Sequence, residues 1–325
     1  MEPQKEQVPE ARRPLVSIGL LTRNNAAFMR GALDALVAQD YPRLEIIVLD
    51  NASSDDSHAI ARDYAARHPF LRALRNETDL GVSGSFARLE ALTAGEYFLW
   101  ACPDDRWTPD FVSNLVAALE STPGAVAAMC PTRKTFADGR SEVMRLEGAD
   151  VPGRQPLLRL VRAMAKERNG QGERVRYNAY IHGVMRRECV WEVIPDDLAY
   201  LANEIVIVIF LALIGQLVFV DRVMFEKHID SASFTERYPD DPLGAVRNRL
   251  GTSLKGLAVF VLRVLRSRDV RLADKPKVFA VLFPLAVRHA KSALYPMLVR
   301  RLSPDALRTL KLIYGGRIEE GERGE

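Results

Sequence analysis

The chain has 325 residues, of which 48% are hydrophobic and 27% are charged, as in soluble globular proteins with ample core. Its three cysteines have no metal-ligand spacing, and their odd number argues against a disulfide framework and for reduced thiols in the cytoplasm. Residues 1–13 are polar and charged without an apolar run, so we expect a disordered lead-in and no secretory signal.

Charge is distributed unevenly along the chain. Residues 240–325 contain 17 Lys and Arg against 9 Asp and Glu, which is +8, so the total of +3 leaves −5 for residues 1–239. A basic segment on an acidic body favours an anionic partner such as a phospholipid surface or a nucleic acid. The segment lacks the interleaved aromatic residues on which bases would stack, so we expect no nucleic-acid partner.

Apolar runs and helical spacings alternate through the first hundred residues. Strands are predicted at 15–21, 45–50, 71–74 and 96–101, and helices at 28–39, 60–67 and 86–93, with a glycine-containing loop at 80–85. This alternation is typical of an α/β fold with a mostly parallel central sheet flanked by helices.

Polar residues follow three of these predicted strands. They are Thr22–Asn24, Asp50–Ser53 and the adjacent carboxylates Asp104 and Asp105. Ligands of open α/β sheets bind outside the carboxyl ends of the strands, so the three segments should converge on one crevice. Two neighbouring carboxylates repel each other unless a cation lies between them, and Mg²⁺ bound to phosphates is such a cation. A solvated acidic turn is the alternative.

The second half of the chain is less regular. A helix is predicted at 111–120, a strand at 125–130, a hairpin turn at Asp138-Gly139 and a mobile loop over 140–180. The apolar run 205–220 is shorter than the roughly 20 residues of a membrane span. We interpret it as a buried helix to 213 and a strand at 217–220, followed by a polar loop at 225–233.

Residues 240–325 form a separate region in which apolar stretches at 254–265 and 278–302 are dotted with Arg and Lys. One interpretation is a helical extension that packs on the body of the protein. The other is a set of basic amphipathic helices on an anionic membrane, which would place the protein on the inner face of the cytoplasmic membrane.

Four stretches together resemble glycosyltransferase family 2, in their order and in their spacing. They are PLVSIGLLTRNNAAFMRGALDALVAQDYPRLEIIVLDNASSDDS, GEYFLWACPDDRWTPDFV, the GVMRRE turn and EIVIVIFLALIGQLVFVDRVMFEKHIDSAS. The resemblance implies a GT-A fold over residues 14–239 and does not extend to 240–325. It also implies an inverting transfer of a sugar from a nucleotide-diphosphate donor to a saccharide or lipid-linked acceptor, in bacterial surface polysaccharide or glycolipid synthesis.

The resemblance also assigns residues to the donor. Asp50 matches the acid that binds the nucleotide base, and Thr22, Asn24, Asn51 and Ser53 flank that pocket.

Further residues are assigned to the metal, the base and the acceptor. Asp104 and Asp105 match the DXD-type element, with one carboxylate near the ribose and one on a divalent metal, Mg²⁺ or Mn²⁺. His228 matches a position near that metal, and Glu204 matches the catalytic base. Arg186 and Arg187 are candidates for binding phosphate or a charged acceptor.

The sequence differs from the usual family motif at several positions, and these differences leave two alternative functions open. Cys102 and Pro103 stand where an Asp two residues before the metal-site Asp is usual, and the base is Glu where Asp is commoner. A catalytically impaired nucleotide-binding protein on the same fold is the first alternative. A nucleotidyltransferase is the second, although Thr22–Asn25 is not the glycine-rich phosphate loop which that reaction would require.

Overall fold

The structure is a computed structural model that describes residues 13–145, 182–191, 211 and 214–229. The predicted base Glu204, the predicted loop beyond residue 145, most of the predicted helix up to 213 and the region 240–325 lie outside the described residues. Among the described residues, no helix combines the length and the apolar character that a bilayer crossing requires.

Eleven strands and five helices are described. In chain order they are β1 (Val16–Thr22), α1 (Ala26–Val37), β2 (Leu44–Asp50), α2 (Ser57–Arg67), β3 (Leu71–Arg75), α3 (Gly81–Ala91), β4 (Tyr97–Ala101), β5 (Arg106–Trp107), α4 (Phe111–Ser121), β6 (Ala125–Met129), β7 (Thr132–Phe136), β8 (Ser141–Met144), β9 (Val184–Arg186), α5 (Arg187–Trp191), β10 (Gln216–Phe219) and β11 (Phe225–Ile229).

Seven strands form the central sheet in the order β10-β6-β9-β4-β1-β2-β3. The pairs β1–β2, β1–β4, β2–β3 and β6–β10 are parallel, and β9 alone among the described strands of this sheet runs antiparallel to its neighbours. The predicted α/β class and mostly parallel sheet are therefore confirmed. Four consecutive residues of β2, 46–49, are fully buried, as expected for a strand with helices on both faces of the sheet.

A smaller sheet, β5-β11-β7-β8, continues beyond the central one. The predicted hairpin turn is confirmed, because β7 and β8 pair antiparallel around Gly139, whose φ is +83°. The predicted mobile loop over 140–180 is wrong for residues 141–144, which form β8 because they pair with β7. The predicted polar loop at 225–233 is wrong for its first five residues, which form β11. Phe225 is buried against the rings of Trp107 and Phe111, and its burial holds this otherwise polar segment between β5 and β7.

The predicted loop at 80–85 is also wrong, because α3 already begins at Gly81. The backbone N–H groups of Leu80 and Gly81 donate to the side-chain oxygens of Asn51 and Asp79, at 3.0 and 2.8 Å. These side chains satisfy donors at the helix start that would otherwise lack partners. Contacts from distant chain segments thus offset the poor helix propensity of the glycines.

The strand β9 lies unusually close to β6. A Cβ atom on Gly183, just before β9, would lie 2.3 Å from the backbone oxygen of Ala128, so a larger residue would separate the two strands. Because β9 runs antiparallel to β4, its start lies at the edge of the sheet where β4 ends. This close approach brings His182 to that edge.

Candidate functional site

The predicted convergence of strand ends is confirmed by the strand register. In the parallel ladders of β1, Thr22 is opposite Asp50 of β2, and Leu20 is opposite Ala101 of β4. The polar segments that follow β1, β2 and β4 therefore leave the sheet at one edge. Ligands of open α/β sheets bind outside this edge.

Asp50 ends β2 as a completely buried carboxylate. The Ser53 backbone N–H lies 3.3 Å from both carboxylate oxygens, and the Ser53 hydroxyl donates to Oδ1. The Arg75 guanidinium Nε lies 3.4 Å from Oδ2, and the Arg75 side chain remains 46% exposed. The negative charge of Asp50 is therefore stabilised by hydrogen bonds and a cation, as a buried charge requires.

The loops after β1 and β2 are joined by reciprocal hydrogen bonds. The Asn24 backbone N–H donates to Ser53 Oγ at 2.9 Å, and the Ser54 N–H donates to Asn24 Oδ1 at 2.8 Å. Asn24 and Ala52 have φ values of +52° and +55°. Left-handed backbone is unfavourable for most non-glycine residues and persists where surrounding contacts fix it. The two loops are thus held in one arrangement beside Asp50.

Thr22 supports this edge of the sheet by its backbone. Its carbonyl oxygen accepts a hydrogen bond from the Asn51 N–H at 2.8 Å. Its hydroxyl, which is buried, points to Met29 Sδ at 3.4 Å. The hydroxyl is therefore engaged within the protein, and the backbone of Thr22 fixes the start of the loop after β2.

Asn51 links β2 to the start of α3. Its Nδ2 donates to Asp79 Oδ1 at 2.6 Å, while its Oδ1 accepts from Asn76 Nδ2 at 2.8 Å and from the Leu80 N–H at 3.0 Å. Sequence reasoning missed Asn76 and Asp79. Its position in the sequence could have identified Asn76, because this residue directly follows β3, a fourth parallel strand that ends at the same edge of the sheet.

The two predicted metal ligands after β4 lie in different environments. Asp104 is partly exposed, whereas Asp105 has no exposed surface. Burial raises the pKa of the Asp105 carboxyl to about 7, with Lys227 lowering it and Asp104 raising it further. Neither oxygen of Asp105 receives a hydrogen bond of normal geometry from the part of the chain that the structure describes.

Asp105 belongs to a buried cluster with Cys102, His182 and Lys227. His182 Nδ1 lies 3.9 Å from Asp105 Oδ2, and Lys227 Nζ lies 3.2 Å from His182 Nε2. Ligand atoms of Cys102, Asp105 and His182 all lie within 4.8 Å of one another. Burial, together with the Lys227 charge, holds the pKa of His182 well below its usual value. Sequence reasoning missed His182, whose sequence position before β9 gave no chemical signal.

The predicted metal ligand His228 belongs to the smaller sheet. His228 lies on β11, half-buried, with its ring centroid 6.0 Å from that of Phe28 in the first turn of α1. It is thus close to the loop after β1. His228 does not share ligand atoms with the Cys102, Asp105 and His182 group.

Arg186 and Arg187 lie at the opposite edge. Arg186 is opposite Tyr97, the first residue of β4, and its Nε donates to the Ala125 carbonyl at 2.8 Å. The Arg187 N–H donates to the Glu96 carbonyl at 3.0 Å. The structure therefore does not bring these arginines together with Asp50 and Asp104.

Comparison with known proteins gives a family and several relatives. The sequence profile of Glycosyl transferase family 2 matches residues 17–194, more than half of the chain. An uncharacterized protein of Mycobacterium tuberculosis is 34% identical over 131 residues, or 39% of this chain and 38% of the relative. An uncharacterized glycosyltransferase of Rickettsia prowazekii is 30% identical over 106 residues, or 33% of this chain and 32% of the relative. The chain thus matches only about a third of these curated relatives' length.

Solved structures share the fold at low sequence identity. Residues 1–349 of S. aureus TarS match with a TM-score of 0.60 at 15% identity, covering 86% of this chain and 72% of that one. TarS has also been solved in complex with UDP-GlcNAc. The mannosyltransferase PcManGT of Pyrobaculum calidifontis, in complex with GDP-Man and Mn²⁺, matches with a TM-score of 0.51 at 20% identity, covering 94% and 81%. The fold is GT-A.

The Asn51 network leads to a stability prediction. Asn51→Ala removes the acceptor of the Leu80 N–H and leaves Asn76 Nδ2 with the Ser85 hydroxyl oxygen as its acceptor, so the unfolding free energy in urea should fall by about 1–3 kcal/mol. Hydrogen exchange at the start of α3 should accelerate in the variant. Asn114→Ala is the control, because its Nδ2 bonds only the Asp110 carbonyl within the first turn of α4. Equal effects of the two substitutions would contradict a special role for Asn51.

Proposed function

This chain belongs to glycosyl transferase family 2, and we propose that it is a glycosyltransferase that transfers a sugar from a nucleotide-diphosphate donor to a hydroxyl acceptor with inversion. The observation that carries the proposal is the register of β1 with β2 and β4, which brings the Asp50 pocket and Asp104 to one edge. A single nucleotide diphosphate could then place its nucleobase at Asp50 and its diphosphate near Asp104. The nucleotide sugars bound by TarS and PcManGT support this choice.

The nucleoside is proposed to bind at the ends of β1 and β2. Asp50 accepts a hydrogen bond from an N–H of the base, and the joined loops of Asn24, Asn51 and Ser53 hold the carboxylate in place. Because these loops are already fixed by their mutual hydrogen bonds, binding requires little further ordering, which favours affinity.

The family implies a divalent cation, and one donor set at this edge fits it. Asp104 presents a partly exposed carboxylate directly after β4, and hard cations such as Mg²⁺ and Mn²⁺ prefer oxygen ligands and substrate phosphates. Asp104, with His228 across the loop after β1, would hold the ion. When bound, it supplies Lewis-acid stabilisation of the departing nucleotide diphosphate. Asp105 is not used here, because its carboxylate faces Cys102 and His182 in a buried cluster.

The acceptor is proposed to be a saccharide or lipid-linked hydroxyl in bacterial surface polysaccharide or glycolipid synthesis. Glu204, which lies outside the described residues, is assigned as the general base by the family resemblance alone. It removes the hydroxyl proton as the oxygen attacks the anomeric carbon from the side opposite the diphosphate, which inverts the configuration. Arg186 and Arg187 have no part in this proposal, since they lie at the other edge of the sheet.

One observation favours a second candidate, a nucleotide-binding protein without transfer activity. Cys102 stands where many family members carry an acid, so the carboxylates near the diphosphate are fewer here. Activity measurements distinguish the two candidates, because the second predicts nucleotide binding without sugar release in any variant.

The catalytic proposal predicts a graded set of variants. A panel of nucleotide sugars identifies the donor, and a bacterial membrane extract supplies the acceptor. With that donor and Mn²⁺, the purified protein should release nucleotide diphosphate. Asp104→Asn should lower kcat/KM about 100-fold, and Glu204→Gln should lower kcat by about 100-fold or more. Asp56→Asn is the control, since Asp56 is an exposed acid that precedes α2 without capping it by a side-chain hydrogen bond. Sugar release that survives both site substitutions would refute the proposal.

We also propose that residues 240–325 hold the enzyme on an anionic membrane surface. Their charge of +8 attracts acidic phospholipid, and their apolar stretches can enter the interface. The full chain should float with vesicles containing phosphatidylglycerol, float less at high salt, and stay in solution after residues 240–325 are removed. Equal recovery of the full and shortened chains would contradict membrane binding through this region.

A further inference from the structure

The buried cluster beneath Asp104 is not used by the proposed transfer reaction, and its composition requires an explanation. Asp105 has no exposed surface and His182 only 5%, yet among the described residues both carboxylate oxygens and His182 Nδ1 have no hydrogen bond of normal geometry; Cys102 interacts weakly with the carboxylate, and the Trp100 backbone with the imidazole. Buried polar atoms without partners are rare in native proteins and often mark an ion or water. Here the unpartnered atoms face each other, with His182 Nδ1 3.9 Å from Asp105 Oδ2.

A third ligand type completes the group. Cys102 is half-buried, and its sulfur lies within 4.8 Å of the nearest ligand atoms of Asp105 and His182. Metal–ligand bonds of 2.0–2.3 Å in a tetrahedral site separate neighbouring ligand atoms by roughly 3.3–3.8 Å, so contraction by at most about 1.5 Å would close the site. Since Cys102 is partly exposed, an ion can enter past its side chain.

We propose that Cys102, Asp105 and His182 bind a transition-metal ion of the Zn²⁺ class at a site separate from the hard-cation position at Asp104. One thiolate, one imidazole and one carboxylate form a donor set that suits Zn²⁺ or Co²⁺, whereas Mg²⁺ and Mn²⁺ favour several oxygen ligands. On binding, the Cys102 sulfur, His182 Nδ1 and one Asp105 carboxylate oxygen would each donate an electron pair to the ion, and the thiol proton and any proton on the Asp105 carboxyl would pass to solvent.

The site would fix the segment that presents Asp104 to the crevice. Cys102 and Asp105 flank a tight turn in which the Asp105 N–H donates to the Cys102 carbonyl at 3.2 Å. An ion bound to the side chains of Cys102 and Asp105 would add a second link across this turn, besides the backbone hydrogen bond. Asp104, inside the turn, then keeps one orientation towards the crevice, so the inferred ion would be structural.

The Lys227 ammonium group should weaken metal binding at His182, and its removal therefore tests the proposal. Its ammonium group lies 3.2 Å from His182 Nε2 and can donate to it only when the ring hydrogen is on Nδ1. Metal binding at Nδ1 moves that hydrogen to Nε2 and breaks the contact with Lys227. Removal of the ammonium group should thus strengthen metal binding, although it removes no ligand.

The experiment uses the full chain, stripped with a chelator and titrated with Co²⁺. One equivalent should produce the near-ultraviolet charge-transfer band of a cobalt thiolate, and a 100-fold excess of Mg²⁺ should leave the band unchanged. Cys102→Ser should remove the band and weaken Zn²⁺ binding about 100-fold or more in a chelator competition. Cys189→Ser on α5 is the matched control, and Lys227→Met should tighten Zn²⁺ binding about 10-fold or more.

A second measurement needs no variant and covers the case in which Cys102→Ser does not fold. Stoichiometric Zn²⁺ should protect Cys102 from alkylation in the wild-type chain, as read by peptide mass spectrometry, and leave Cys189 equally reactive. Absence of the band, its persistence in folded Cys102→Ser, its displacement by Mg²⁺, or unchanged alkylation of Cys102 would each overturn the proposal. None of these measurements depends on a nucleotide sugar, so the transferase proposal can fail without affecting them.

Discussion

The position of β1 between β2 and β4 is the constraint on which the rest of this structure depends. Both neighbours run parallel to β1, so the three strands must leave the sheet at the same edge. Each strand carries an apolar sequence through the sheet and polar residues directly after it. Backbone pairing alone therefore brings together polar residues that lie 28 (Thr22 to Asp50) to 82 (Thr22 to Asp104) positions apart in the chain. The described helices pack against the strands of the sheet.

Two buried carboxylates at that edge show how local partners determine the role of an acid. Asp50 is surrounded by the N–H and hydroxyl of Ser53 and by the Arg75 guanidinium, all of which stabilise its charge. Asp105 is equally buried but receives no hydrogen bond of normal geometry from the described residues, and burial raises its pKa to about 7. The first is suited to receive a neutral donor such as a nucleobase. The second is suited to a cation.

Much of the fold was accessible from the sequence because its dominant signals are local. The four strands and the helices between them have clear apolar periodicity, and the structure shifts their ends by only a few residues. The start of α3 and the strand β11 were missed for the same physical reason. Each is stabilised by a contact with a distant segment, the first through Asn51 and the second through burial of Phe225.

The candidate site was predictable to a similar extent. Strand ends identified Asp50 and the Asp104–Asp105 pair, because sheet topology fixes where such ends lie. Periodicity could not reveal that Asp105 turns inward, nor that Arg186 belongs to the opposite edge, since both depend on the antiparallel strand β9. His182 joins the Asp105 cluster because the start of the antiparallel strand β9 lies beside the end of β4.

The central claim is that the edge formed by β1, β2 and β4 binds a nucleotide diphosphate. Its most direct test is the thermal unfolding of the full chain with UDP, GDP, dTDP and CMP, each with Mn²⁺ and with EDTA. A nucleotide at 100 times its dissociation constant should add about 2.7 kcal/mol of stability and raise the melting temperature by several degrees. We expect this rise for one nucleotide with Mn²⁺, a smaller rise in EDTA, and none in Asp50→Asn. No shift with any nucleotide, or an equal shift in Asp50→Asn, would contradict the account.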